Sequence, residues 1–113
     1  MDLKEKKCTP CEGATSPLQN SEEDSLIQHV NDWSLERDKE HHIHKKFKFA
    51  DFKQAMQFVN AIADIANDED HHPDISISYN KVGITLSTHK IGGLSENDFI
   101  VASKIDNLHV QEA

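Results

Sequence analysis

Apolar residues recur at helical spacing in three stretches of this chain and alternate with polar residues in three others. Leu26, Ile27 and Val30 form a short helical stripe that ends at the single tryptophan, Trp33. Phe52, Ala55, Met56, Val59, Ile62, Ala63 and Ala66 hold the 3.6-residue period over the longest run. Phe58 and Ile65 widen that stripe enough to cover a sheet and still offer surface to a partner. Val101, Ala102, Ile105 and Leu108 predict a last helix. Between these, Ile43, Phe47 and Phe49 share one parity, with His42, His44, Lys46 and Lys48 on the other. Lys45 interrupts the inward parity, which predicts an open inner face at that point or a snorkelling stem. Ile75, Ile77 and Tyr79, then Val82, Ile84 and Leu86, alternate as two strands joined at Asn80-Lys81.

Caps and breakers fit this order. Ser21 precedes the acidic turn Glu22, Glu23, Asp24, and Asp51 stands three residues before Gln54 as in a capping box. The long helix runs into Asn67 and the acidic Asp68-Glu69-Asp70, and Pro73 closes the corner to the next strand. A Gly92-Gly93 bend leads to Ser95, with Asp98 at the third position of the last helix. Residues 34–40 are mostly charged and read as a weak edge strand or a loop. The sequence therefore predicts an α+β fold: about four antiparallel strands in one sheet, with three helices packed on one face. Residues 1–20 read as a polar leader, with local packing through Leu18, and residues 21–113 as a single domain. Trp33 is expected to plug the core under the sheet.

At 113 residues the chain is one domain's worth, and a net charge of −8 argues against direct nucleic-acid binding. No apolar run reaches the length of a membrane span, and the lysine-rich start lacks a signal-peptide core, which favours the cytoplasm. Cys8 and Cys11 form a lone C-x-x-C in a polar context, so two reduced thiols are expected there rather than a zinc or redox site. His41, His42 and His44 lie among lysines, which makes a solvated face the expectation over a metal site.

The chemistry concentrates elsewhere. Asp70-His71-His72-Pro73-Asp74 enters the predicted hairpin, and His89 leaves it seventeen residues after His72. The ends of paired strands lie near one another, so imidazoles at both ends form a candidate acid–base set. On residue types alone, capping of the preceding helix explains His71 or His72 equally well. A metal site built on His71, His72, His89 and Asp98 is a further alternative.

That run, followed by Tyr79-Asn80-Lys81-Val82, Ile84-Thr85-Leu86-Ser87-Thr88-His89, Gly92-Gly93-Leu94-Ser95 and Asp98, resembles the pterin-4a-carbinolamine dehydratases. Trp33 and Phe47-Lys48-Phe49-Ala50-Asp51-Phe52 are similar to the family's upstream segments, and Cys8-Thr9-Pro10-Cys11-Glu12-Gly13 resembles the start of bacterial members. The resemblance implies dehydration of a 4a-hydroxytetrahydropterin to the quinonoid dihydropterin, in tetrahydrobiopterin-type recycling, with no cofactor and no metal. It implies a catalytic set of His71, His72, His89 and Asp98. Within it His71 and His89 move protons, His72 holds the pterin and Asp98 orients His89. It implies a substrate site of Asp70, His71, His72, Ser87, Thr88, His89 and Lys90, and a homodimer or homotetramer. Vertebrate relatives also act as dimerisation cofactors of a homeodomain transcription factor, so the alternative function is a non-catalytic dimeric binding module or transcriptional coactivator using the same fold. One position departs from the family: Asn67 stands where an acidic residue is usual, with the expected effect falling on His71.

Overall fold

The computed structural model describes residues 3–8 and 16–108. Strands β1 (Ser34–Glu36), β2 (His42–Lys48), β3 (Asp74–Ser78) and β4 (Lys81–Leu86) form one antiparallel sheet in the order β1-β2-β4-β3. With helices α1 (Asn20–Leu26), α2 (Phe52–Glu69) and α3 (Glu96–Asp106), this is the expected α+β fold. The charged stretch after Trp33 does pair, as the short edge strand β1. The register sets Ile43 against Leu86, Lys45 against Ile84 and Phe47 against Val82, so the apolar parities of β2 and β4 share one face. All of these except Lys45 are buried, together with Phe49, Leu94 and Phe99.

Lys45 is a stem with a destination. Its Nζ lies 4.8 Å from the centre of the Phe47 ring and 3.0 Å from Asp106 Oδ1. The same carboxylate accepts from Trp33 Nε1 at 3.0 and 3.1 Å and from the Asn31 amide at 2.9 Å. Trp33 is 6 % exposed and meets Phe47 edge-on. It plugs the core as expected, with its one polar atom satisfied.

Four local expectations shift. Helix α1 starts from Gln19 rather than Ser21, because Glu22 reaches back to the Gln19 amide at 2.9 Å. The buried face of α2 is Ala55, Phe58, Ile62 and Ala66, whereas Phe52 is 49 % exposed and Ala63 faces solvent. Phe58, expected as surplus width, is core, with its ring centre 4.6 Å from that of Phe47 and 5.0 Å from that of Phe49. The hairpin turns at Tyr79-Asn80, one residue earlier than expected, since Ser78 pairs with Lys81. Asn80 anchors that turn by exchanging backbone and side-chain hydrogen bonds with Phe49, and Tyr79 takes the left-handed conformation (φ 53°).

The fourth shift concerns the N-terminal residues. Leu3 is buried to 2 % on α3, Lys4 O accepts from Lys104 Nζ, and Lys6 pairs with Glu96 at 3.0 Å. Helix α3 is therefore covered on two sides, which is why Asn97, Phe99, Ile100, Val101, Ala102 and Ile105 are all buried. Leu18 donates its amide to Leu94 O, and a Cβ at Gly93 would meet Pro17 Cβ at 3.0 Å, so this segment runs close along the chain. Cys11 lies outside the described residues.

Asp106 collects donors from three residues, so Asp106→Ala leaves a Trp33 N–H and a Lys45 ammonium without their partner. We expect a loss of about 2 kcal/mol, read as a lower urea midpoint at unchanged slope.

Candidate active site

Helix α2 ends on Asp70, whose left-handed conformation (φ 50°) turns the chain while the amides of Asp70 and His71 both bond to Ala66 O. A short polar side chain tolerates that conformation better than a branched one. The turn delivers His71 inward and His72 outward. On the far side of the sheet end, β4 runs out through Ser87 and Thr88 into a 3₁₀ turn at His89–Ile91. The two ends frame a cavity of about 470 Å³, a size suited to a small molecule. Every residue expected in the substrate site lines it: Asp70, His71 and His72 from the α2–β3 corner, and Ser87, Thr88, His89 and Lys90 from the β4 exit.

His71 is the most enclosed imidazole of the three, with 12 % of its side chain exposed and Nε2 at 2.7 Å from Asp98 Oδ1. Asp98 is fully buried behind it. Its Oδ2 accepts from Thr88 Oγ1 at 2.8 Å and from the Ser95 amide at 3.0 Å, so the carboxylate is also the capping group of α3. The expectation that Asp98 orients His89 is therefore corrected to His71. A carboxylate only accepts, so it holds the Nε2–H form of a neutral His71 and leaves Nδ1 without a proton. His72 is exposed and meets Asn67 Oδ1 at 3.2 Å. The amide at the usually acidic position thus touches His72, not His71, because Asp98 already occupies His71.

His89 has 69 % of its side chain exposed and takes a different carboxylate, Glu40, at 2.7 Å from Nδ1. Sequence reasoning left Glu40 at the end of a charged stretch read as a weak edge strand or a loop. The signal was the strand register: continuing the β2–β4 pairing outward from Ile43–Leu86 sets Glu40 across from His89. Cys8, Asp68, Glu69 and Asn97 also line the cavity and were not foreseen. Glu69 is buried under the N-terminal segment, accepting from the Cys8 amide at 2.8 Å and lying 3.5 Å from Lys7 and 3.7 Å from Lys104. Burial opposes its ionisation, but the Cys8 amide and the two lysines outweigh it and hold the carboxyl below its usual range. The Cys8 thiol is pushed up to about 12 by burial and then by Glu69, so it is a neutral wall of the cavity rather than a nucleophile. Among the described residues no group of three His, Cys, Asp or Glu side chains is arranged to hold a metal ion, and no helix is long and apolar enough to cross a membrane.

The sequence model of the family described as Pterin 4 alpha carbinolamine dehydratase matches residues 16–108. A protein of Nitrosospira multiformis is 50 % identical over 107 residues, covering 95 % of this chain and 92 % of its own, and is named provisionally as a pterin-4-alpha-carbinolamine dehydratase. A Halorhodospira halophila protein named in the same provisional way is 43 % identical, covering 96 % and 98 %. Among solved structures, a transcriptional coactivator/pterin dehydratase from Brucella melitensis superposes with a TM-score of 0.75 at 34 % identity, over 80 % of this chain and 95 % of that one. A pterin dehydratase-like protein identified as a RuBisCO assembly factor in the alpha-carboxysome superposes at 0.58 with 25 % identity, over 67 % and 87 %.

Glu69 ionises more readily in the folded chain than in the unfolded one. Its contribution to stability is therefore present above the unfolded pKa of about 4.3 and is lost as pH falls through the lower folded value. Glu69→Gln is expected to lower the urea midpoint at neutral pH, with the gap to wild type closing as titration proceeds below about pH 4.

Proposed function

The chain belongs to the pterin-4-alpha-carbinolamine dehydratase family, and on that footing we propose that it dehydrates a 4a-hydroxytetrahydropterin to the quinonoid dihydropterin and water. The observation that carries this reading is one cavity lined by His71, backed by a buried carboxylate, and by His89 from a separate element.

The reaction needs two proton movements. Hydroxide is a poor leaving group, so the oxygen on C4a takes a proton as its bond to carbon breaks. The N5 lone pair drives the departure and forms the C4a–N5 double bond, and the N5 proton is then lost to a base. The products are one water and the quinonoid pterin, with no net change in oxidation state. A histidine general acid and a histidine general base supply both steps. In this reading His71 and His89 are the proton movers and Asp98 orients His71. His72, on the cavity rim, holds the pterin. Asp70, Ser87, Thr88 and Lys90 shape the rest of its site, with Thr88 Oγ1 itself engaged with Asp98.

The wider setting follows as part of the same proposal: a cytoplasmic enzyme of tetrahydrobiopterin-type recycling that needs no cofactor. A homodimer or homotetramer is supported by the edge strand β3, where Ile77 is 42 % exposed and Tyr79, at its turn, 64 %. Sedimentation of the purified chain checks that, and a monomer at all concentrations sinks it. The names of the two structural neighbours support a second reading, a non-catalytic binding module with the same cavity.

One assay separates the two. Purified protein is expected to speed decay of the 4a-carbinolamine well above its spontaneous rate, in buffer without added metal. His71→Ala and His89→Ala should each lower kcat by about 10²-fold or more, the usual worth of a general acid or base. No acceleration by wild-type protein rejects the enzyme. A partner-dependent phenotype that survives the double histidine variant would favour the binding module.

A further inference from the structure

Asp98 serves His71, and the arrangement around His89 has the same logic on the opposite edge of the cavity. We propose that Glu40 is the positioning residue for His89: it fixes the Nδ1–H tautomer and so leaves Nε2 as the proton-moving atom. The inference rests on the dehydratase reading and adds a residue to it from outside the motif-bearing stretch of residues 70–98.

Glu40 Oε2 lies 2.7 Å from His89 Nδ1 and accepts from Ser87 Oγ at 3.0 Å. One carboxylate oxygen therefore ties the loop before β2 to both walls of the β4 exit. A lone exposed ion pair would contribute little to stability, so the case is geometric rather than energetic. The loop itself is anchored. Its next residue, His41, places Nδ1 2.7 Å from Glu23 Oε2, and Arg37 Nε donates to Glu23 Oε1 at 2.9 Å. Glu23 is fully buried and Arg37 also pairs with Asp24 at 2.7 Å, so both ends of the loop are fastened to α1. Held from both sides, the loop presents the Glu40 carboxylate to the β4 exit. Bound to an acceptor through Nδ1, neutral His89 carries its proton there and bares Nε2, the nitrogen that faces Asp74 Oδ2 at 3.8 Å. The two histidines then work through unlike atoms, Nδ1 of His71 and Nε2 of His89.

The tautomer can be read directly in the full chain by nitrogen-15 NMR of labelled histidine, together with steady-state kinetics. Wild type is expected to show His89 as Nδ1–H. Glu40→Leu removes the acceptor altogether and should move His89 toward Nε2–H. In the same variant kcat should fall about 10- to 100-fold with KM within about twofold, the split expected when a transition-state contribution is lost. Glu36→Gln, which removes the partner of half-buried His44 on the neighbouring strand, should leave both readouts at wild type. An unchanged His89 tautomer in Glu40→Leu overturns the proposal, and so does a shifted tautomer with undiminished kcat. If wild type has no dehydratase activity but the tautomer responds, the enzymatic reading fails while the Glu40–His89 link stands.

Discussion

A buried carboxylate at Asp98 is the constraint from which the site and part of the fold both follow. An uncompensated charge at full burial is expensive. Here it is compensated by three donors from three elements: the Ser95 amide at the start of α3, Thr88 Oγ1 at the β4 exit and the His71 ring. The helix N-terminus adds its own favourable field. The atoms that start α3 are thus the atoms that seat His71. The α2–β3 corner, the β4 exit and α3 cannot drift apart without leaving that carboxylate short of a partner. Preorganisation of His71 is in this sense a by-product of folding.

The same device recurs twice in a chain of net charge −8. Glu23, fully buried, is met by Arg37 and His41, and it fastens the loop before β2 to α1. Glu69 is met by Lys7, Lys104 and the Cys8 amide, and it fastens the N-terminal segment to the end of α2. Each buried acid joins segments distant in sequence: Glu69 lines the cavity itself, and Glu23 holds the loop whose Glu40 meets His89. The acidic run after Asn67, unfavourable to its own helix end, becomes intelligible through Glu69. Its charge is met by Lys7, Lys104 and the Cys8 amide rather than by the dipole.

How much of this the sequence revealed depended on whether the interaction was local. Parity in β2 and β4, the Ser95–Asp98 cap and the corner at Pro73 are short-range patterns, and they were legible. The histidines and their cavity neighbours at 70–72 and 87–90 were legible because a family motif marks them. Phe58 was misjudged because periodicity locates a stripe but not its centre, which is set by the Phe47 and Phe49 rings opposite. Leu3 is one apolar residue in a charged segment and has no period to reveal it. Glu40 and Glu69 act across 49 and 61 residues, so no window-based reading could have paired them. Their partners become visible only once strand register and helix packing are known.

His71 and His72 are neighbours with opposite fates, and the reason bears on how such a site tolerates change. The left-handed Asp70 and the restriction imposed by Pro73 fix the backbone on either side, so successive side chains point in opposite directions. One becomes enclosed against a carboxylate, and the other stays exposed against an amide. A change at Asn67 therefore reaches only the exposed ring, where solvent can replace a lost hydrogen bond. A change at Asp98 reaches the enclosed ring, the α3 cap and Thr88 together. The exposed contact at Asn67 and the embedded geometry at Asp98 have one cause: the corner sorts two identical side chains into an adjustable contact and a fixed one.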